Sequence, residues 1–183
     1  MGSITRGTVL FIGIFLFYSC NNISEPKETK TKTAQNKILQ QSDGTISLKI
    51  DNADCYRDVA NPSSNTAEWS VVVSKSGRFN VWLSSATKDT TDLKYDNSVM
   101  LNILDNRIEA RPACDKIIRN SSDVAYPYFR ADSFIGSLYI QDTGLFNIQI
   151  ISEKIVPNEI RKAESSGSDN SKLLSVFLTP ITQ

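Results

Sequence analysis

The 183-residue chain contains no histidine. That absence removes Ser-His-Asp and Cys-His nucleophile activation, imidazole acid–base catalysis and His-ligated zinc in one step. Glycine is sparse, at eight residues, and nowhere forms the glycine-rich loop that cradles a nucleotide's phosphates. Glycoside hydrolysis needs only two carboxylates, but no spacing marks a pair among Glu68, Glu109, Glu153 and the aspartates. Lysine and arginine together number 20, as do aspartate and glutamate, and no polybasic block with interleaved aromatics occurs. Nucleic acid is therefore not an expected partner. Asp51, Asn52 and Asp54, and the aspartates within 89–96, cluster oxygen ligands, yet neither follows the EF-hand spacing and both residue types are ordinary in turns. No metal site and no cofactor is assigned, and the chain is not expected to be an enzyme.

Long apolar runs are confined to the beginning. Residues 1–19 carry one charge, Arg6, and an apolar stretch over 8–18 that is too short to span a bilayer, which is the form of a secretory signal. The stretch ends in Leu16-Phe17-Tyr18-Ser19-Cys20, which resembles the lipobox of bacterial lipoproteins, where a small residue precedes a cysteine that is diacylated through its sulfur. The resemblance implies lipidation of Cys20, attachment to a membrane through that lipid, and residence in the bacterial cell envelope, at the outer membrane or cell surface. Residues 20–44 scatter Lys27, Lys30, Lys32 and Lys37 among Thr, Gln, Asn and Ser without an apolar period, and read as a flexible tether. With Cys20 assigned to lipid, Cys55 and Cys114 are the remaining thiols. In an oxidising compartment they are expected to form a disulfide, the alternative being two separate thiols.

Residues 45–183 read as one β-domain. Short β-prone runs at 45–50, 55–59, 68–74, 78–86, 98–104, 124–130, 134–141, 145–152 and 173–179 are separated by Asn, Asp, Pro, Ser and Gly. Eight or nine such strands predict a single antiparallel β-sandwich. One pattern is written twice: residues 70–86, SVVVSKSGRFNVWLSSA, recur without a gap as residues 137–153, SLYIQDTGLFNIQIISE. Ser70, Gly77, Phe79, Asn80 and Ser85 align with Ser137, Gly144, Phe146, Asn147 and Ser152. In each copy the apolar row Phe79, Val81, Leu83 or Phe146, Ile148, Ile150 alternates with polar residues, the period of a half-buried strand. Each copy is predicted to be a hairpin turning at its glycine. Polar, glycine-broken residues 157–172 read as a surface loop.

Alternation places Trp82 on the row opposite Phe79, and the following segment, 87–97, brings Lys88, Asp89 and Tyr95. These four residues are the predicted ligand surface, at the end of the sandwich away from the glycine turns. An aromatic face with planar polar groups beside it suits a sugar, which offers C–H groups on its face and hydroxyls at its edge. The other reading of Trp82 is that the tether, the polar loop or a partner protein covers it.

The stretches AEWSVVVSKSGRFNVWLSSA, PYFRADSFIGSLYIQDTGLFNIQIIS and LLSVFLTP together resemble galactose-binding-like jelly rolls, carbohydrate-binding-type modules found on fucosidases and other glycan-degrading proteins. The resemblance implies a jelly-roll sandwich that holds glycan or another surface ligand. The competing expectation is a structural or interaction lipoprotein, Ig-like or jelly-roll, that docks an envelope protein and binds no glycan.

Overall fold

A computed structural model describes Gly2, Thr29–Thr31 and residues 37–156 and 171–181. Among these are twelve β-strands: β1 (Thr29–Thr31), β2 (Ile38–Leu39), β3 (Ile46–Lys49), β4 (Asp54–Arg57), β5 (Thr66–Val73), β6 (Gly77–Thr87), β7 (Val99–Ile103), β8 (Asn106–Ala110), β9 (Lys116–Ile118), β10 (Phe129–Ile140), β11 (Gly144–Ile151) and β12 (Ser171–Pro180). Seven build one sheet in the order β1-β4-β5-β11-β7-β8, with β2 alongside β5, and five build the other in the order β3-β12-β6-β10-β9. Every pairing is antiparallel except β2 with β5. The protein is an all-β sandwich.

Period-two patterning builds the core. Ala67, Trp69, Val71 and Val73 on β5 and Ile148 and Ile150 on β11 meet Ile46, Leu48, Phe79, Val81, Leu83, Val176 and Leu178 from the opposing sheet, all of them buried. The Trp69 indole reaches across the layers and donates from Nε1 to the Lys49 carbonyl at 2.9 Å, so its one polar atom is satisfied inside the core.

The repeated pattern does not form hairpins. β5 lies in the seven-stranded sheet and β6 in the five-stranded sheet, so the first copy is an arch that crosses the core; β10 and β11 make the second arch in the reverse sense. The copies pair with each other instead, β5 with β11 and β6 with β10, related by an approximate two-fold axis. Val73 lies opposite Gly144 in one sheet and Ile140 opposite Gly77 in the other, so both turns fall at the same end. The Ser70 hydroxyl donates to Asn147 Oδ1 at 3.2 Å and the Ser137 hydroxyl to Asn80 Oδ1 at 2.8 Å, two equivalent bonds that account for two of the five repeated identities. Gly77 and Gly144 adopt φ of 152° and 144°, a conformation that a Cβ disfavours. Alternation reads the same in a hairpin and in an arch, because both strands of either bury one row.

Other expectations are also corrected. There are twelve strands among the described residues rather than eight or nine: β8 and β9 are additional, and residues 124–128 are loop, with β10 beginning only at Phe129. The range 20–44 is not all tether, since β1 and β2 join the seven-stranded sheet. Gln40 is buried there: its Nε2 donates to the Gly44 carbonyl at 2.8 Å, and its Oε1 accepts the Ser74 and Lys75 amides at 2.9 and 2.7 Å, bracing the first arch. Cys55 and Cys114 are not bonded to one another. Cys55 sits on β4 near one edge of the seven-stranded sheet, and Cys114 follows β8 at the other edge, with β5, β11 and β7 between. Four strand spacings of about 4.8 Å separate β4 from β8, whereas a disulfide needs Cα atoms within roughly 7 Å. The leader 1–19 apart from Gly2, Cys20 and residues 157–170 lie outside the described residues.

Candidate functional site

The outer face of the five-stranded sheet is laid out in cross-strand rows, because residues paired across antiparallel strands point to the same side. Its central row is aromatic. Trp82 on β6 lies opposite Phe134 on β10 and opposite Phe177 on β12. The indole meets Phe134 edge-on, with centroids 5.4 Å apart at 60°, and lies nearly parallel to Phe177 at 6.3 Å and 6°. All three rings are partly solvent-accessible, Phe134 most of all at 46%.

Charged rows adjoin this one. The first holds Lys116, Asp132, Ser84, Ser175 and Lys49, and the next Arg130, Ala86 and Lys172. Arg130 organises them. Its Nε and Nη2 donate to the two oxygens of Asp132 at 2.8 and 3.1 Å, its Nη1 donates to Asp123 Oδ2 at 2.8 Å, and its guanidinium carbon stands 5.6 Å from the Phe177 ring centroid. Asp132 also accepts the Ser84 hydroxyl at 2.5 Å. Asp123 belongs to the loop over residues 119–128, and Lys49 Nζ approaches its Oδ1 at 3.6 Å, so two cations hold that loop at the margin of the face. Burial opposes the charge on Arg130, but bonds and charges from Asp132 and Asp123 outweigh it and raise its pKa. Burial likewise opposes ionisation of Asp123, and Arg130 and Lys49 overcome it, holding that carboxyl below the usual range. Under the loop lies a mainly apolar pocket of about 180 Å³ lined by Ala86, Val124, Ala125, Tyr128, Lys172 and Leu174, with Asp123 at its side.

Of the predicted ligand residues, only Trp82 lies on this row. Lys88 is just beyond β6, about 20 Å along the strand direction from Trp82, and its ammonium sits 5.0 Å above the Tyr128 ring at the pocket. Asp89 builds its own loop: Oδ1 accepts the Thr91 amide at 2.9 Å, the Thr91 hydroxyl at 2.7 Å and the Asp92 amide at 3.2 Å, bonds that lower its pKa. Tyr95 is on the wrong side of the sheet. It is 6% exposed, its hydroxyl pairs with the buried Ser85 hydroxyl at 2.9 Å, and burial pushes its pKa well up. Segment 88–98 folds back over the end of the sandwich and inserts Leu93 and Tyr95 into the core while Lys94 stays outside, a short alternation that was readable in the sequence.

Phe134, Phe177, Arg130, Asp132 and Asp123 were missed. For Phe134 the cause is a register shift at Ile135: counting back from buried Ile140 and Leu138 puts Phe134 on the core side, and the extra residue turns it outward. Phe177 stands between Val176 and Leu178, which are equally apolar, so composition alone gives no phase there. The outer face of the other sheet has an open polar hollow of about 330 Å³ lined by Tyr56, Asp58, Ser64, Thr66, Glu68 and Gln149, with no row of rings. Among the described residues no three Cys, Asp or Glu side chains converge as a metal site.

No family model matches the chain, and no curated protein matches it in sequence. Among solved structures, alpha-L-fucosidase from Vibrio sp. strain EJY3 superposes with a TM-score of 0.59 at 20% identity, over 78% of this chain and 24% of that one. A Podospora anserina GH26-CBM35 beta-(1,4)-mannanase gives 0.44 at 10% identity, over 77% and 28%. The insecticidal crystal protein Cry2Aa gives 0.47 at 13% identity, over 78% and 22%. The chain thus spans about a quarter of each of these proteins, and the likeness to the fucosidase is one of fold.

Proposed function

We propose that this protein is a lipid-anchored envelope protein whose sandwich binds carbohydrate on the outer face of the five-stranded sheet. The observation that carries the reading is the Phe134–Trp82–Phe177 row, a strip of partly open rings bordered by Arg130, Asp132 and Asp123. Rings of this kind stack on the C–H face of a pyranose, and planar charged groups beside them bond its hydroxyls. The presence of a sandwich of this architecture in a fucosidase is in keeping with the reading. Binding to a broad glycan array, with loss of every positive in Trp82→Ala, is the expected result; an array with no positives sinks the proposal.

The anchor rests on the sequence Leu16-Phe17-Tyr18-Ser19-Cys20. Cys20→Ser should abolish metabolic acyl labelling and move the protein from the detergent phase to the aqueous phase, and unchanged partitioning contradicts the anchor. A second reading, docking of an envelope protein, draws on Phe134 and Tyr139, 46% and 54% exposed on this same face. Recovery of one envelope protein by the parent but not by Phe134→Ala, with an empty glycan array, selects it.

A further inference from the structure

The charges of this balanced chain are sorted by face. On the five-stranded side, Lys49, Arg78, Lys116, Arg130 and Lys172 project outward from the strands. Against them stand Asp132, the loop's Asp123, and Asp115, whose carboxylate accepts the Phe134 amide at 2.7 Å. On the strands themselves five cations stand against one carboxylate, Asp132. Among the strand residues whose side chains are described, the outer face of the seven-stranded sheet carries Asp54, Glu68 and Glu109 against Arg107. A sandwich needs no such distribution to fold, since the strand charges named are all on outer rows.

The surplus falls beside the rings. Lys49 and Arg130 are engaged by Asp123 and Asp132, whereas Lys116 and Lys172, at opposite ends of the charged rows, enter no ion pair among the described residues. Lys116 thus lies one row from the ring strip and Lys172 two rows from it, on the same side, and Lys172 also borders the apolar pocket. We infer that the ligand of this face is an acidic saccharide, its sugar rings on Trp82, Phe134 and Phe177 and its carboxylate or sulfate groups toward Lys116 and Lys172. The inference rests on the carbohydrate reading of the same site and adds the ligand's charge. An anionic surface without rings would engage the lysines but leave the aromatic strip unused.

The test uses protein purified with Cys20→Ser, so that no acyl chain contributes, titrated with polygalacturonate, a sulfated galactan, neutral galactan and mannan, polyglutamate, and phosphatidylglycerol vesicles. The expected result is binding of at least one acidic polysaccharide about tenfold tighter than the neutral polymers. That binding should weaken about tenfold between about 20 and 300 mM salt. Lys116→Gln combined with Lys172→Gln should lower acidic binding about tenfold without changing neutral binding or Tm, and Trp82→Ala should abolish both. Equal binding of acidic and neutral polymers overturns the inference and leaves the carbohydrate reading standing. Equal binding of polyglutamate reduces the face to bulk charge and also overturns it. Binding to vesicles alone assigns the face to a membrane, and no binding to any polysaccharide removes the carbohydrate reading itself.

Discussion

Trp69 and Trp82 are the chain's only tryptophans, and the strand period sends them to opposite fates. Trp69 points into the core with its indole bonded to the Lys49 carbonyl; Trp82 points outward between two phenylalanines. The outward phase of Trp82 was legible from Phe79, Val81 and Leu83, but its neighbours were not, because they come from strands far away in sequence. Tyr95 shows the converse. It was grouped with Trp82 through the loop that joins them, and the loop folds to the other side of the sheet. Tyr95→Phe should therefore leave any ligand affinity unchanged while lowering stability by about 1 kcal/mol through the lost bond to Ser85. The sign of its pH dependence follows from burial. The folded phenol keeps its proton above the ordinary tyrosine value, whereas the unfolded one ionises there, so stability declines as pH rises past about 10. Urea unfolding at increasing pH should show a shallower decline in Tyr95→Phe than in the parent. An equal decline contradicts the buried placement.

At the scale of the element, alternation identified β3, β5, β6, β7, β11 and β12 closely, and the repeat in residues 70–86 and 137–153 proved to be structural. Its geometry was not legible. A hairpin and an arch bury the same rows, and what separates them is the partner each strand finds across the chain. The four repeated Ser and Asn residues become intelligible only once the arches pair, since each Ser bonds the Asn of the other copy. A bulge at Ile135 hid Phe134, and polar composition hid Gln40, whose side chain braces the first arch from within the supposed tether. The arch also makes a symmetric prediction. A Cβ at Gly77 or Gly144 meets no atom within 4 Å, so only the backbone conformation is penalised. Gly77→Ala and Gly144→Ala should each cost about 1–3 kcal/mol by denaturant unfolding, similar to one another. A neutral outcome at both positions contradicts the arch geometry.

For the whole molecule, two sheets closed by paired arches supply a rigid slab, and what distinguishes its faces is what the outward rows carry. One bears adjoining rings and a positive surplus on its strands, the other a polar hollow. The fold it shares with part of a fucosidase leaves those rows unspecified, as does the 20% identity between them. The central claim is that ligand sits on the ring-bearing face, and the two tryptophans offer a probe and an internal control for it. In a proton–nitrogen correlation spectrum of the protein titrated with the strongest binder from the array, the Trp82 indole signal should shift progressively to saturation while that of Trp69 stays within line width. A saturating shift at Trp69 with Trp82 unmoved would contradict the account.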